Sequence, residues 1–185
     1  MSIANVGEDS KFAKYLKTQI EKKIDGPEST GKSIFEVFNG DNDNGGIGSS
    51  IVKYAKKFIG ANESDGSADK FLGGGNSSST PWCAAFVQYI MEHVSGGKKM
   101  PSWYKKISNK WYCPNVLNAA QNAHATVKTN KAKPGDIVLF GDHHIGIVKS
   151  NKNGIITTIE GNSSNQVKSN SYSSTDGSLT ICKMT

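Results

Sequence analysis

The sequence predicts an α+β fold, with N-terminal helices packed on a C-terminal antiparallel sheet. Three observations predict it. Apolar residues recur at helical spacing in several segments up to His124. From Ile137 onward the chain turns to β-branched runs separated by turn residues. The helices come first and the strands after, which is the order of segregated layers.

The first element is read over residues 9–24, DSKFAKYLKTQIEKKI, where Phe12, Leu16, Ile20 and Ile24 form one apolar stripe. Ser10 can cap it, and Asp25-Gly26-Pro27 stops it. SIFEVF is a further short element. Asn39 to Ser50 is polar and Gly-rich and reads as a linker. Its Asp41–Asn44 run resembles the start of a calcium loop, but the twelfth position is Val52 where an acidic ligand is required. These features divide the chain into a helical segment and linker, residues 1–46, and a second unit, residues 47–185.

A helix is expected from about Ser50 to Ile59, with Ile51, Tyr54, Ala55 and Phe58 on one face. A polar loop reaches Ser79. TPWCAAFVQYIME, Thr80 to Glu92, is the next helix, with Thr80 as N-cap and Pro81 in the first helical position. An aromatic loop with Trp103, Tyr104, Trp111 and Tyr112 leads to a short helix begun by Pro114. Strands are expected at Ile137–Phe140, His144–Ser150, Gly154–Gly161 and in SLTICKM near the C-terminus.

Composition narrows the function. All 22 basic residues are Lys and the net charge is +6. Arg supplies the planar fork that reads phosphates and guanine edges, so nucleic acid is not an expected partner. Diffuse Lys suits loose attraction to a polyanionic wall or membrane surface. No stretch reaches the ~18 apolar residues of a membrane span. The first residues have no apolar core of a secretory signal, so export is expected by another route or as part of something larger.

Three cysteines, Cys83, Cys113 and Cys182, stand 30 and 69 residues apart without a CxxC pair, so no zinc site is expected. Cys113 and Cys182 are read as structural thiols, with a disulfide between them as the alternative. Cys83 lies in the first turn of its helix, where partial positive charge and unpaired N–H groups favour a thiolate. A buried free Cys is ordinarily a small hydrophobe, so the nucleophilic reading depends on a base. His93 is about 15 Å along the helix from Cys83, too far to serve, and His124 reads as a surface residue. His143 and His144 follow the turn Gly141-Asp142 and point to opposite faces of a strand. His144 shares its face with Gly146, whose missing side chain leaves room for a helix or a substrate. A three-residue hairpin loop, Lys152-Asn153-Gly154, would pair Asn151 with Ile155, Gly146 with Glu160, and His144 with Asn162. Glu160 and Asn162 then share the face of His144, and a one-residue slip would send both to the other side.

PWCAAFV, KPGDIVLF, HHIGIV and IEGNSS, in this order, resemble the CHAP domains of the papain-like NlpC/P60 superfamily over roughly residues 48–185. The resemblance implies a papain-like fold and a cysteine amidase or peptidase that cuts bacterial peptidoglycan. It implies Cys83 as nucleophile, His144 as base, and Glu160 and Asn162 as the polar residues completing the catalytic set. Trp82 and His143 are expected to contact substrate. No metal or cofactor is implied for the reaction, although some relatives bind calcium just before the Cys and the acidic Asp65–Asp69 stretch leaves that open. Endopeptidase is favoured slightly over N-acetylmuramoyl-L-alanine amidase. The alternative is a non-catalytic wall-binding or structural module. The N-terminal segment is expected to serve in a phage-tail or wall-remodelling assembly, acting at the cell wall as a phage lysin or as a domain of a larger protein.

Overall fold

Trp82 settles where the central helix begins. Its indole is fully buried, its Nε1 donates to Glu63 Oε1 at 2.9 Å, and its ring stacks on Phe71 at 5.5 Å. In the computed structural model, which describes residues 46–184, the helix starts at Cys83, and Phe86 N–H donates to the Trp82 carbonyl at 2.8 Å. Thr80 is therefore not the cap and Pro81 lies ahead of the first turn. Fixing a buried Trp outweighs the roughly 1 kcal/mol a side-chain cap supplies. The expected elements within residues 1–45 lie outside the described residues.

In chain order, α1 spans Gly46–Lys56, α2 Cys83–His93, α3 Ser102–Lys105 and α4 Cys113–Asn122. Then come β1 (Thr126–Val127), β2 (Ile137–Phe140), β3 (His144–Lys152), β4 (Ile155–Ile159), β5 (Ser171–Ser173) and β6 (Leu179–Cys182). α1 begins four residues before its expected start at Ser50 and ends at Lys56, short of Ile59. The sheet is antiparallel throughout, in the order β1-β6-β2-β3-β4-β5. Helices first and an antiparallel sheet after is the α+β architecture that the sequence predicts. All described residues belong to the compact unit Asp43–Thr185. No helix among them is long and apolar enough to cross a membrane.

Strand alternation divides the core into two layers. Ile137, Leu139, Ile145, Ile147 and Ile159 join Ile51 of α1 and Phe86, Val87 and Ile90 of α2 in one cluster. Val138, Val148, Ile156 and Ile181 form a smaller cluster on the other face, with Phe140 and Tyr172 packed against it. Two glycines admit close approaches. A Cβ at Gly135, φ +90°, would stand 2.4 Å from Gly48 Cα of α1. One at Gly161 would stand 2.5 Å from Phe86 Cβ and 2.9 Å from the Trp82 ring. Asp136, beside Gly135, is buried and accepts from the backbone N–H groups of Lys133 and Met184, each at 2.9 Å. The Pro134-Gly135-Asp136 turn thus ties α1, β2 and the C-terminus together.

The β3–β4 hairpin corrects one expectation and preserves its consequence. The turn has two residues, Asn153 and Gly154, with φ of 52° and 76°, and Lys152 pairs with Ile155. Positive φ at both positions fits the twist of a tight hairpin. Asn151 therefore faces Ile156, one residue off the expected register. A bulge between Val148 and Ser150 takes up the difference, so that Ile147 faces Ile159. Beyond the bulge the offset equals that of Gly146 with Glu160. The short strands β1 and β5 were not expected from the sequence.

Candidate active site

Cys83 is the first residue of α2 and His144 the first of β3, and both line one cleft of about 470 Å³. Pro81, Phe140, His143, Glu160, Asn162, Ser163 and Tyr172 complete its walls. His144 Nε2 lies 3.0 Å from Glu160 Oε2. A carboxylate only accepts, so Nε2 carries the proton and Nδ1 is left for Cys83. Glu160 is 1% exposed, and its other oxygen accepts from Tyr172 Oη at 3.0 Å and from Thr158 Oγ1. Phe140 packs between the two rings, 5.4 Å from His144 and 4.8 Å from Tyr172.

The space above Gly146, expected to admit a helix or a substrate, is filled by Glu160. A Cβ there would stand 2.6 Å from Glu160 Cγ. Helix α2 shares its cluster with Ile145 and Ile147, the alternate residues of the strand, and approaches the backbone at Gly161.

The charges of the site favour an ion pair. The hydrogen bond from Cys113, outweighing burial, and then the bond and charge of His144 bring Cys83 down to about 5. The Ala84 N–H adds to this from the first turn of α2. Burial pushes His144 down, but its bonds to Cys83 and Glu160 and their charges win, raising it to about 9. Burial acts upward on Glu160, and the bonds from His144 and Thr158 more than offset it. The result is thiolate beside imidazolium, with a buried carboxylate behind.

The remaining expected residues fall in different places. Asn162 lines the cleft in a left-handed conformation, φ 54°. His143 sits in the turn before β3 rather than on the strand, with its side chain 79% exposed and Nδ1 3.6 Å from Asp142. Trp82 is a correction: fully buried against Phe71 and bonded to Glu63, it presents no surface to a substrate. Cys113 and Cys182 are buried free thiols in the core, as the structural reading expects and not the disulfide alternative, and Cys113 also favours the thiolate of Cys83. All three cysteines are free thiols. In the loop before α2, Asp65 accepts from Ser67 and Asn62, and Asp69 accepts from Ser77 N–H and Oγ.

Thr158 and Tyr172 are site residues that the sequence reading missed. Strand alternation places Thr158 on the face of Glu160 two residues later, and that signal was present. Tyr172 lies on a three-residue polar strand that carries no apolar pattern.

The family model of the CHAP domain matches residues 75–162, which contain Cys83, His144, Glu160 and Asn162. This bears out the resemblance read from the motifs. Three solved structures are similar to the chain. A mutant of the Resuscitation Promoting Factor Interacting protein RipA is 14% identical, with a TM-score of 0.46, covering 75% of this chain and 62% of that one. Ly7917 is 14% identical, with a TM-score of 0.47, covering 74% and 62%. The peptidoglycan hydrolase RipB from Mycobacterium tuberculosis is 14% identical, with a TM-score of 0.45, covering 95% and 86%. The chain thus spans 62% of the length of the first two. No curated protein matches the chain in sequence.

Proposed function

With a CHAP-domain match running from Gly75 to Asn162, we propose that this chain is a cysteine hydrolase that cuts amide bonds in the peptide of bacterial peptidoglycan. The single observation that carries the reading is the chain of contacts from Cys83 through His144 to Glu160. A wall-binding module needs no such set, and an imidazole raised to about 9 beside a thiol lowered to about 5 serves acyl transfer.

The Cys83 thiolate attacks the carbonyl carbon of the scissile amide. The backbone N–H of Cys83, at the open start of α2, donates to the developing oxyanion, a contact of a kind worth about 10²–10³ in rate. Nδ1 of His144 gives its proton to the leaving amine, and the C–N bond breaks to leave a thioester. His144 then takes a proton from water as it attacks, and Cys83 departs as thiolate. Glu160 keeps the imidazole in the tautomer that presents Nδ1. Asn162, on the cleft wall, supports the ring or polarises the carbonyl, and His143 meets substrate at the rim. An endopeptidase cut is favoured slightly over the lactyl–L-alanine cut.

Residues 47–185 hold the whole reaction, and the segment before them serves targeting or assembly at the cell wall. Alkylation tests the class of chemistry. Iodoacetamide should abolish lysis of purified walls with one carboxamidomethyl group on Cys83, whereas a carboxylate glycosidase would survive it.

A further inference from the structure

Two hydroxyls hold one oxygen of Glu160, and the proposed reaction gives them no part. Tyr172 Oη donates to Oε1 at 3.0 Å, and Thr158 Oγ1 donates to the same atom. A carboxylate only accepts, so both hydroxyls are donors. Oε2 is left to His144 Nε2, 3.0 Å away. Three neighbouring strands bring these groups together. β4 carries Thr158, fully buried, two residues before Glu160 on the same face. β5 carries Tyr172, which pairs with Ile156 and lines the cleft. β3 carries His144.

We propose that Thr158 and Tyr172 are positioning residues, which hold the Glu160 carboxylate so that His144 keeps its proton on Nε2 when the ring is neutral. The inference rests on the proposed hydrolysis and names the step at which the arrangement counts. A buried charge is costly unless its acceptor sites are filled. Glu160 is 1% exposed; burial acts to neutralise it, and the bonds from His144 and Thr158 keep it ionised. Without a donor on Oε1 the carboxylate turns toward water in the cleft, and Nε2 loses its partner. The neutral ring then has no preference for Nε2–H, and Nδ1 carries the proton in part of the molecules.

The two halves of the reaction depend on this to different degrees. In acylation the ring is an imidazolium with a proton on each nitrogen, so no tautomer is selected. Nδ1–H passes its proton to the leaving amine as the C–N bond breaks. In deacylation the ring starts neutral, and Nδ1 must be bare. The water oxygen bonds to the thioester carbon, its proton goes to Nδ1, and the C–S bond breaks with its electron pair on Cys83. A ring protonated at Nδ1 cannot serve this step. Thr158 and Tyr172 therefore act on deacylation more than on acylation.

The test compares Tyr172→Phe and Thr158→Val in the full chain. Phe keeps the ring that packs on Phe140 at 4.8 Å, and Val keeps the shape of Thr. On a soluble muropeptide kcat should fall about 10–100-fold, the effect of losing a hydrogen bond to a charged group. KM should fall with it, so that kcat/KM changes much less, and mass spectra of quenched enzyme should show the thioester on Cys83. Thr158→Ser, which keeps a hydroxyl, should recover most of what Thr158→Val loses. In a Glu160→Gln background neither substitution should cost more. A second readout needs no activity. Nitrogen NMR of the His144 ring above pH about 9, where it is neutral, should show Nε2 protonated in the wild type and mixed tautomers in both variants. One tautomer throughout with unchanged kcat would overturn the proposal, as would a loss that persists in the Glu160→Gln background. If Thr158→Val does not fold, Tyr172→Phe, at a half-buried position, decides alone. Mixed tautomers in variants of a protein that never cuts muropeptides would uphold the positioning and sink the hydrolase reading instead.

Discussion

His144 gives Nε2 to Glu160 at 3.0 Å, and the contact exists because residue 146 has no side chain. Glu160 Cγ lies 2.6 Å from where a Cβ at Gly146 would stand, with Ile159 O at 3.3 Å and Val138 Cγ1 at 3.5 Å. The carboxylate reaches the imidazole by lying across the strand. Gly146→Ala should therefore displace Glu160, cost about 1–3 kcal/mol of stability by overpacking, and lower turnover. Thermal unfolding and turnover measured together check this. Unchanged turnover in a folded Gly146→Ala protein would mean that Glu160 does not need this position.

The two adjacent histidines should differ sharply. His144 bridges Cys83 and Glu160, whereas His143 is 79% exposed and pairs only with Asp142 among its described ionic partners. His144→Ala should reduce turnover by several orders of magnitude, because base and thiolate stabilisation are lost together. His143→Ala should change it modestly, through KM more than kcat. Steady-state kinetics on a soluble muropeptide separates the outcomes, and a dead His143→Ala protein would contradict them.

The pH profile follows from the two shifts. The thiolate is lost as pH falls through about 5, and the imidazolium is lost as pH rises through about 9. Activity should therefore rise on an acid limb, fall on a basic limb, and hold between them, with both limbs belonging to the coupled pair. Glu160→Gln removes a charge that raises His144. Its basic limb should move to lower pH, and a limb that stays put would show that the carboxylate does not act on the imidazole.

How much of this was legible in the sequence depends on the distance over which each contact is made. The Cys83–His144–Glu160 set could be read because each residue has a local signal: a helix start, the residue after a turn, and a strand position two before Asn162. The register itself was misread at the turn, where a two-residue loop replaced three, and the bulge after Val148 cancelled the error before it reached the site. Cys113 was not legible as a partner of Cys83. It stands at the start of α4, and no spacing rule links residues 30 apart in different helices. Trp82 misled for a related reason. An aromatic beside a nucleophile can face either way, and only the fold shows Glu63 waiting to accept from its indole.

The segment before residue 47 should be dispensable for chemistry, since every residue assigned a role in the reaction lies between Cys83 and Asn162. A purified protein of residues 47–185 should cleave soluble muropeptides at a rate within a few-fold of the full chain. Weaker action on whole walls would point to targeting by the missing segment. A folded 47–185 protein without activity on soluble substrate would show that the catalytic unit extends further.

The central claim is that the Cys83 sulfur opens an amide bond of the wall peptide. Its most direct test is mass spectrometry of fragments released from purified peptidoglycan by the wild type and by Cys83→Ala. The account predicts fragments with a new amino group at one cut amide from the wild type, and none from Cys83→Ala although that protein stays folded. New reducing sugar ends, or the same fragments from Cys83→Ala, would contradict it.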